Sequence, residues 1–176
     1  MTGITPAGLA RLGAGAAILG GSLRIALGLI PFQPGTAWLE AVYALIDFCL
    51  LTGLTGLYLT RAAALGHLGL GFALIAGLGL ASLVGPDATR FGIDFYALGS
   101  AVTALGLAGL AIQGLRVGAW RWASGVWLLT PGLGTVAMIS GSALSWQLAG
   151  LAFGLGFVLA GLQALREAGR ARDIRP

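Results

Sequence analysis

Apolar runs about 20 residues long, the length a helix needs to cross a bilayer, recur from one end of this sequence to the other. Short segments with turn chemistry separate several of them: "PFQPGT" at 31–36, "GPDATRFG" at 85–92 and "SGSAL" at 140–144. Charged residues make up 9% of the chain, where a water-soluble domain carries about 25%. With a mean hydropathy of +0.93, the solvent for most of this surface is lipid. The expected fold is all-α: one transmembrane domain over residues 1–176, a bundle of six spans at 9–30, 37–60, 64–84, 93–115, 119–140 and 145–166.

The arginines set the expected orientation. Arg11, Arg61, Arg116, Arg121, Arg166, Arg170, Arg172 and Arg175 fall on one side of a six-span arrangement, and Arg90 stands on the other with Asp87 and Asp94. Basic loops are retained on the cytoplasmic side, so both termini are expected inside. Aromatic residues mark both interfaces, Trp38, Phe95 and Trp146 outside and Tyr58, Trp120 and Trp122 inside. Arg24 interrupts the first apolar run and no cleavage site follows, so this run is expected to remain a span and not a removed signal. The basic tail 167–176 is expected to rest on anionic headgroups. All ten basic residues are arginine. With the alanine and glycine load, this points to a GC-rich bacterial genome and hence to the inner membrane, as a multi-pass protein. The sequence pI near 10.2 therefore reports topology and not a nucleic-acid partner.

Glycine accounts for 31 of 176 residues, against about 7% in average proteins. Small residues let helix backbones approach closely in lipid, which supplies no hydrophobic drive of its own. Stripes at helical spacing are expected to be contact faces: Gly13, Ala17, Gly20 and Gly28; Gly69, Ala73 and Gly77; Gly150, Gly154 and Gly161. Glycine-rich faces beyond the needs of six helices suggest a homo-oligomer or a partner membrane protein. Two internal alignments compete, but a Leu/Gly/Ala alphabet produces such matches by chance and neither is evidence on sequence alone. "YALIDFCLLTGLTGL" from Tyr43 matches "YALGSAVTALGLAGL" from Tyr96 and implies repeated two-helix hairpins, while a weaker match of the first span to the fourth implies inverted three-helix halves.

The polar constellation lies in the first two spans. Arg24 sits within the small-residue stripe and is expected to point into the bundle. Glu40, Tyr43 and Asp47, at i, i+3 and i+7, share one face of the second span. At a rise of about 1.5 Å per residue, Arg24 lies about 9 Å below the outer boundary, with Glu40 at about 3 Å and Asp47 at about 13 Å. A guanidinium at that depth can reach both carboxylates. The trio is either an ion pair that makes buried charge tolerable, or a site where Arg24, Glu40, Tyr43 and Asp47 handle protons, a cation or a small amphiphile. Asp87, Arg90 and Asp94 are expected at the outer rim.

Elsewhere, "TPGLG" at 130–134 places Pro131 inside the fifth span, where it frees the carbonyl of Trp127 and predicts a kink. His67 is a lone histidine at the inner interface. The single cysteine, Cys49, excludes an internal disulfide. No nucleotide-binding, P-loop or zinc motif occurs, and His67 lies on the side opposite the acids. No catalytic residue, metal or cofactor is expected, and an enzyme is the less favoured class. The expectation is a binding or transport-type protein, with a non-catalytic accessory subunit as the alternative.

Overall fold

The computed structural model describes residues 6–30, 36–83, 89–90 and 92–173. In order these are α1 (Pro6–Gly28), α2 (Ala37–Leu83), the two-residue strands β1 (Thr89–Arg90) and β2 (Ile93–Asp94), α3 (Phe95–Arg116), α4 (Arg121–Ser140) and α5 (Ala143–Asp173). All five helices are long and apolar enough to cross a membrane. Their outward faces are lipid-like, with Leu12, Leu78 and Ile139 exposed by 67%, 70% and 83%. An exterior this apolar would drive association in water. The chain has the architecture of a multi-pass membrane protein.

The expected second and third spans form one element, and its break falls later than the sequence suggested. The run Ala62–Leu65 consists of strong helix formers and carries the helix past Arg61. Gly66 then leaves helical geometry at φ 63° and ψ −162°, a region essentially reserved for glycine. A straight helix of 47 residues would measure about 70 Å. Instead the chain folds back: a Cβ on Gly77 would lie 3.6 Å from Cδ1 of Leu51. α2 is therefore a pair of arms, a leading one at 37–65 and a trailing one at 67–83.

Around the bundle, each helix packs on its neighbour in sequence and α5 packs on α1, which closes a ring. α1 is held on two faces. Gly13, Ala17 and Gly20 meet Gly56, Gly53 and Leu50 of the leading arm, while Ala14, Ile18, Gly21 and Ile25 meet Gly154 and Gly161 of α5. The stripes expected in the first and last spans are thus real contact faces, except that Gly28 has nothing within 4 Å of a built Cβ. The stripe Gly69–Ala73–Gly77 serves a different contact. Gly69 and Gly77 turn towards Leu65 and Leu51 within α2, and the face against α3 is built from Phe72, Ala76 and Gly79.

Those contacts decide between the two alignments. In the α1–leading-arm pair the contacting positions are 13 with 56, 17 with 53 and 20 with 50; in the trailing-arm–α3 pair they are 72 with 109, 76 with 106 and 79 with 103. A shift of 59 residues in the first helix and 53 in the second carries one set onto the other. The second shift is the same one that aligns Tyr43 with Tyr96. The molecule contains two copies of one helical hairpin.

Tight turns complete the ring. Between α3 and α4, Gly118 (φ 72°) and Trp120 (φ 47°) both take positive φ, and this carries the Trp120 ring into the core, where it is fully buried. Trp120 and Trp122 were both expected to be exposed as interface anchors; only Trp122, 81% exposed, faces outward. Trp120, Trp127 and Phe157 stack edge-to-face at 6.5 and 5.2 Å. α4 continues through Pro131 to Ser140, and the buried hydroxyls of Thr103 and Thr130 donate to the carbonyls of Gly99 and Val126. α5 runs past the expected boundary at 166 to Asp173. Its extension lets Glu167 pair with Arg61 at 2.5 Å, while Gln163 donates to the same carboxylate.

Candidate functional site

Arg24 lies four residues before the end of α1, about 6 Å inside it. Its neighbours come from three other elements. Nη2 donates to the Tyr96 hydroxyl at 3.3 Å, the guanidinium carbon is 5.9 Å from the centre of the Tyr43 ring, and a Cβ on Gly150 would sit 3.8 Å from Nη2. Asp47 lies one turn beyond Tyr43 on the leading arm, the element whose tyrosine ring stands beside the guanidinium. Glu40 occupies the first turn of α2, where the helix N-terminus favours a carboxylate.

This differs in kind from the arrangement the spacing suggested. Arg24 continues the small-residue stripe of α1 in sequence, and its half-buried side chain reaches residues of three other helices near the end of α1. Among the described residues it forms no direct ion pair with Asp47; its hydrogen bond goes to Tyr96, a residue the sequence reading left out. α1 and α3 make no backbone-level contact among the described residues. The Arg24–Tyr96 bond therefore spans two non-adjacent helices across one end of the ring.

The physical reason for the missed residue is plain. Tyr96 is 72 residues from Arg24, and no helical periodicity links positions on different elements. The available signal was the hairpin alignment, which superposes Tyr43 on Tyr96. Both tyrosines, at equivalent places in the two hairpins, converge on Arg24.

The expected rim residues fare differently. Asp87 lies outside the described residues. Arg90 belongs to β1 and pairs through its backbone with Ile93, while Thr89 pairs with Asp94; Gly92 turns this short hairpin at φ 75°. The ladder is two residues long on each side and leaves the fold all-α. Asp94 caps α3, its Oδ1 accepting from the backbone N–H of Ala97 at 3.0 Å. Such a cap is worth about 1 kcal/mol, so Asp94 holds the helix start that presents Tyr96 two residues later.

At the opposite end of the leading arm, Arg61 and Glu167 line a cleft of about 350 Å³ with Thr60 and Ala10. The two charges there neutralise each other directly, whereas at the Arg24 end opposite charges stand near one another without touching. His67 follows the Gly66 break and is exposed. Cys49 is buried against α1, where a Cβ on Gly20 would lie 2.9 Å from its own Cβ. Among the described residues no group of three or more His, Cys, Asp or Glu is placed to hold a metal ion. No protein-family model, no curated protein and no solved structure matches this chain, so its chemistry rests on the geometry of its own residues.

Proposed function

We propose that this is a bacterial inner-membrane protein of binding or transport type, whose site comprises Arg24, Glu40, Tyr43 and Asp47 together with Tyr96. It crosses the membrane six times with both termini in the cytoplasm. Fold-back of the arms of α2 at Gly66 supports that count, and the crowding of arginine on one side supports that orientation. The site then opens towards the outer face and handles protons, a cation or a small amphiphile.

One observation carries this reading. The guanidinium bridges non-adjacent helices through a single hydrogen bond, with an opposite charge near but not in contact. A charge kept only for helix packing is expected to be neutralised directly, since unpaired charge at mid-bilayer costs about 2.5–3.5 kcal/mol on insertion scales. Here donors on the guanidinium remain available to a ligand. The test is flux in proteoliposomes by wild type and Asp47→Asn. Flux of protons or a common cation that Asp47→Asn abolishes is expected; background flux from both proteins sinks the ion-handling form.

A second reading, that of a docking subunit or homo-oligomer, has its own observation. Gly125 and Gly132 lie on one exposed face of α4, with nothing within 4 Å of a built Cβ. Small residues at such spacing suit a close helix partner. Leucine at both positions would shift the particle mass in detergent if the face is an interface, and unchanged mass argues against it.

A further inference from the structure

Resting on the reading of the Arg24 end as a binding site, we propose that this site takes a zwitterion, with an anionic group held by Arg24 and Tyr96 and an ammonium held by Asp47. Three observations lead there. First, the guanidinium carbon of Arg24 lies 5.9 Å from the centre of the Tyr43 ring, Asp47 is one turn further along the same helix, and among the described residues no ion pair joins Arg24 to Asp47, so each retains bonding capacity towards a third body. Second, Tyr96 accepts the proton of Nη2 through its oxygen. Its own O–H then remains a donor beside the guanidinium, and together they present two donors to a carboxylate or phosphate. Third, glycine at 150 places no side chain against the Nη2 and Nε edge, where a Cβ would come within 3.8 and 4.0 Å.

The charge pattern favours a ligand that carries both signs over one with a single charge. A lone anion at Arg24 is repelled by Asp47, and a lone cation at Asp47 is repelled by Arg24. Glu40 sits in the first turn of α2, whose N-terminus favours a carboxylate, and the proposal concerns the one positive and one negative group deeper in, Arg24 and Asp47. A zwitterion satisfies both at once, with the Tyr43 ring, one turn from Asp47 on the same helix, beside the guanidinium. The same chemistry has two sources: a small soluble zwitterion, or the headgroup of an ethanolamine phospholipid entering from the bilayer.

Purified protein in phosphatidylglycerol nanodiscs would be titrated calorimetrically with phosphoethanolamine, glycine betaine, inorganic phosphate and ethanolamine. At least one zwitterion is expected to bind tenfold or more tighter than either single-charge ion. Arg24→Gln and Asp47→Asn should each remove that advantage. Tyr96→Phe, which keeps the ring and its packing, should weaken zwitterion binding severalfold even if the charge variants fold poorly. Repeating the titration in phosphatidylethanolamine nanodiscs separates the sources: lost affinity for the soluble ligand assigns the site to the headgroup, and unchanged affinity assigns it to the soluble species. Phosphate or ethanolamine binding as tightly as the zwitterions overturns the inference while leaving a binding site in place. Silence from every ligand in both bilayers overturns the inference, and the flux measurement with Asp47→Asn then judges the binding reading separately.

Discussion

The contact between Gly13 of α1 and Gly56 of the leading arm is the most sensitive place to test the packing. A Cβ on Gly13 would lie 2.5 Å from the Cα of Gly56 and 3.1 Å from its carbonyl carbon. Carbon atoms rest comfortably at about 3.5–4.0 Å, so Gly13→Ala must part the two helices by about 1–1.5 Å. No flexible side chain can yield, because the obstacle is backbone. The displacement opens the contacts of Ala17 with Gly53 and of Gly20 with Leu50 along the same seam. A gap of 0.5–1 Å already forfeits a quarter to a half of each dispersion well, and overpacking of this sort costs about 1–3 kcal/mol.

The assay is reversible unfolding of purified protein in mixed micelles, titrated with a denaturing detergent. Gly15→Ala serves as control, since Gly15 is exposed with nothing within 4 Å of a Cβ; its effect should stay within about 0.5 kcal/mol. Combining Gly13→Ala with Gly56→Ala should cost well under the sum of the two, because the first methyl already forces the separation the second requires. Equal stability of Gly13→Ala and Gly15→Ala would falsify the close approach. Full additivity would show that the two methyls act on separate contacts.

Three further outcomes are expected. Gly66→Ala, at a backbone conformation essentially confined to glycine, should destabilise by about 1–3 kcal/mol in the same unfolding assay; no change would mean that the α2 break tolerates a side chain. Arg61→Gln should cost at most about 1 kcal/mol, because its partner Glu167 and Arg61 itself are each about a third exposed, and high salt should erase the difference. In a Cys49→Ala background, single cysteines replacing His67 and Ile93 should react with a membrane-impermeant maleimide from opposite sides of the membrane; labelling from the same side would remove the six-crossing arrangement.

Much of this architecture was readable because lipid imposes few solutions on a backbone. Run length located α1, α3 and α4 to within a few residues at most ends, and the spacing of Gly13, Ala17 and Gly20 named a true contact face. The failures share a cause. Arg61 looked like a loop residue because charge usually marks a boundary, yet the alanines after it kept the helix going and its partner came from the extension of α5. Trp120 looked like an interface anchor until two positive-φ residues turned it inward. Gly69, Ala73 and Gly77 have contact-face spacing, but spacing does not say which neighbour a face meets. At the site, periodicity collected Glu40, Tyr43 and Asp47 onto one side of one helix and left Tyr96 invisible, since its place beside Arg24 exists only once the ring has closed.

The repeated hairpin bears on why the charges are there at all. Equivalent positions in the two copies carry Tyr43 and Tyr96, Gly53 and Gly106, and Gly56 and Gly109. The same register sets Arg24 against Leu83 and Asp47 against Ser100. The second hairpin thus achieves the same helix contacts with a leucine and a serine where the first has a guanidinium and a carboxylate. Packing of this unit does not require the charges, and placing them in lipid works against insertion. What packing leaves unexplained, ligand chemistry can explain: the tyrosine is common to both copies, the charge pair belongs to one, and the two tyrosines meet at Arg24.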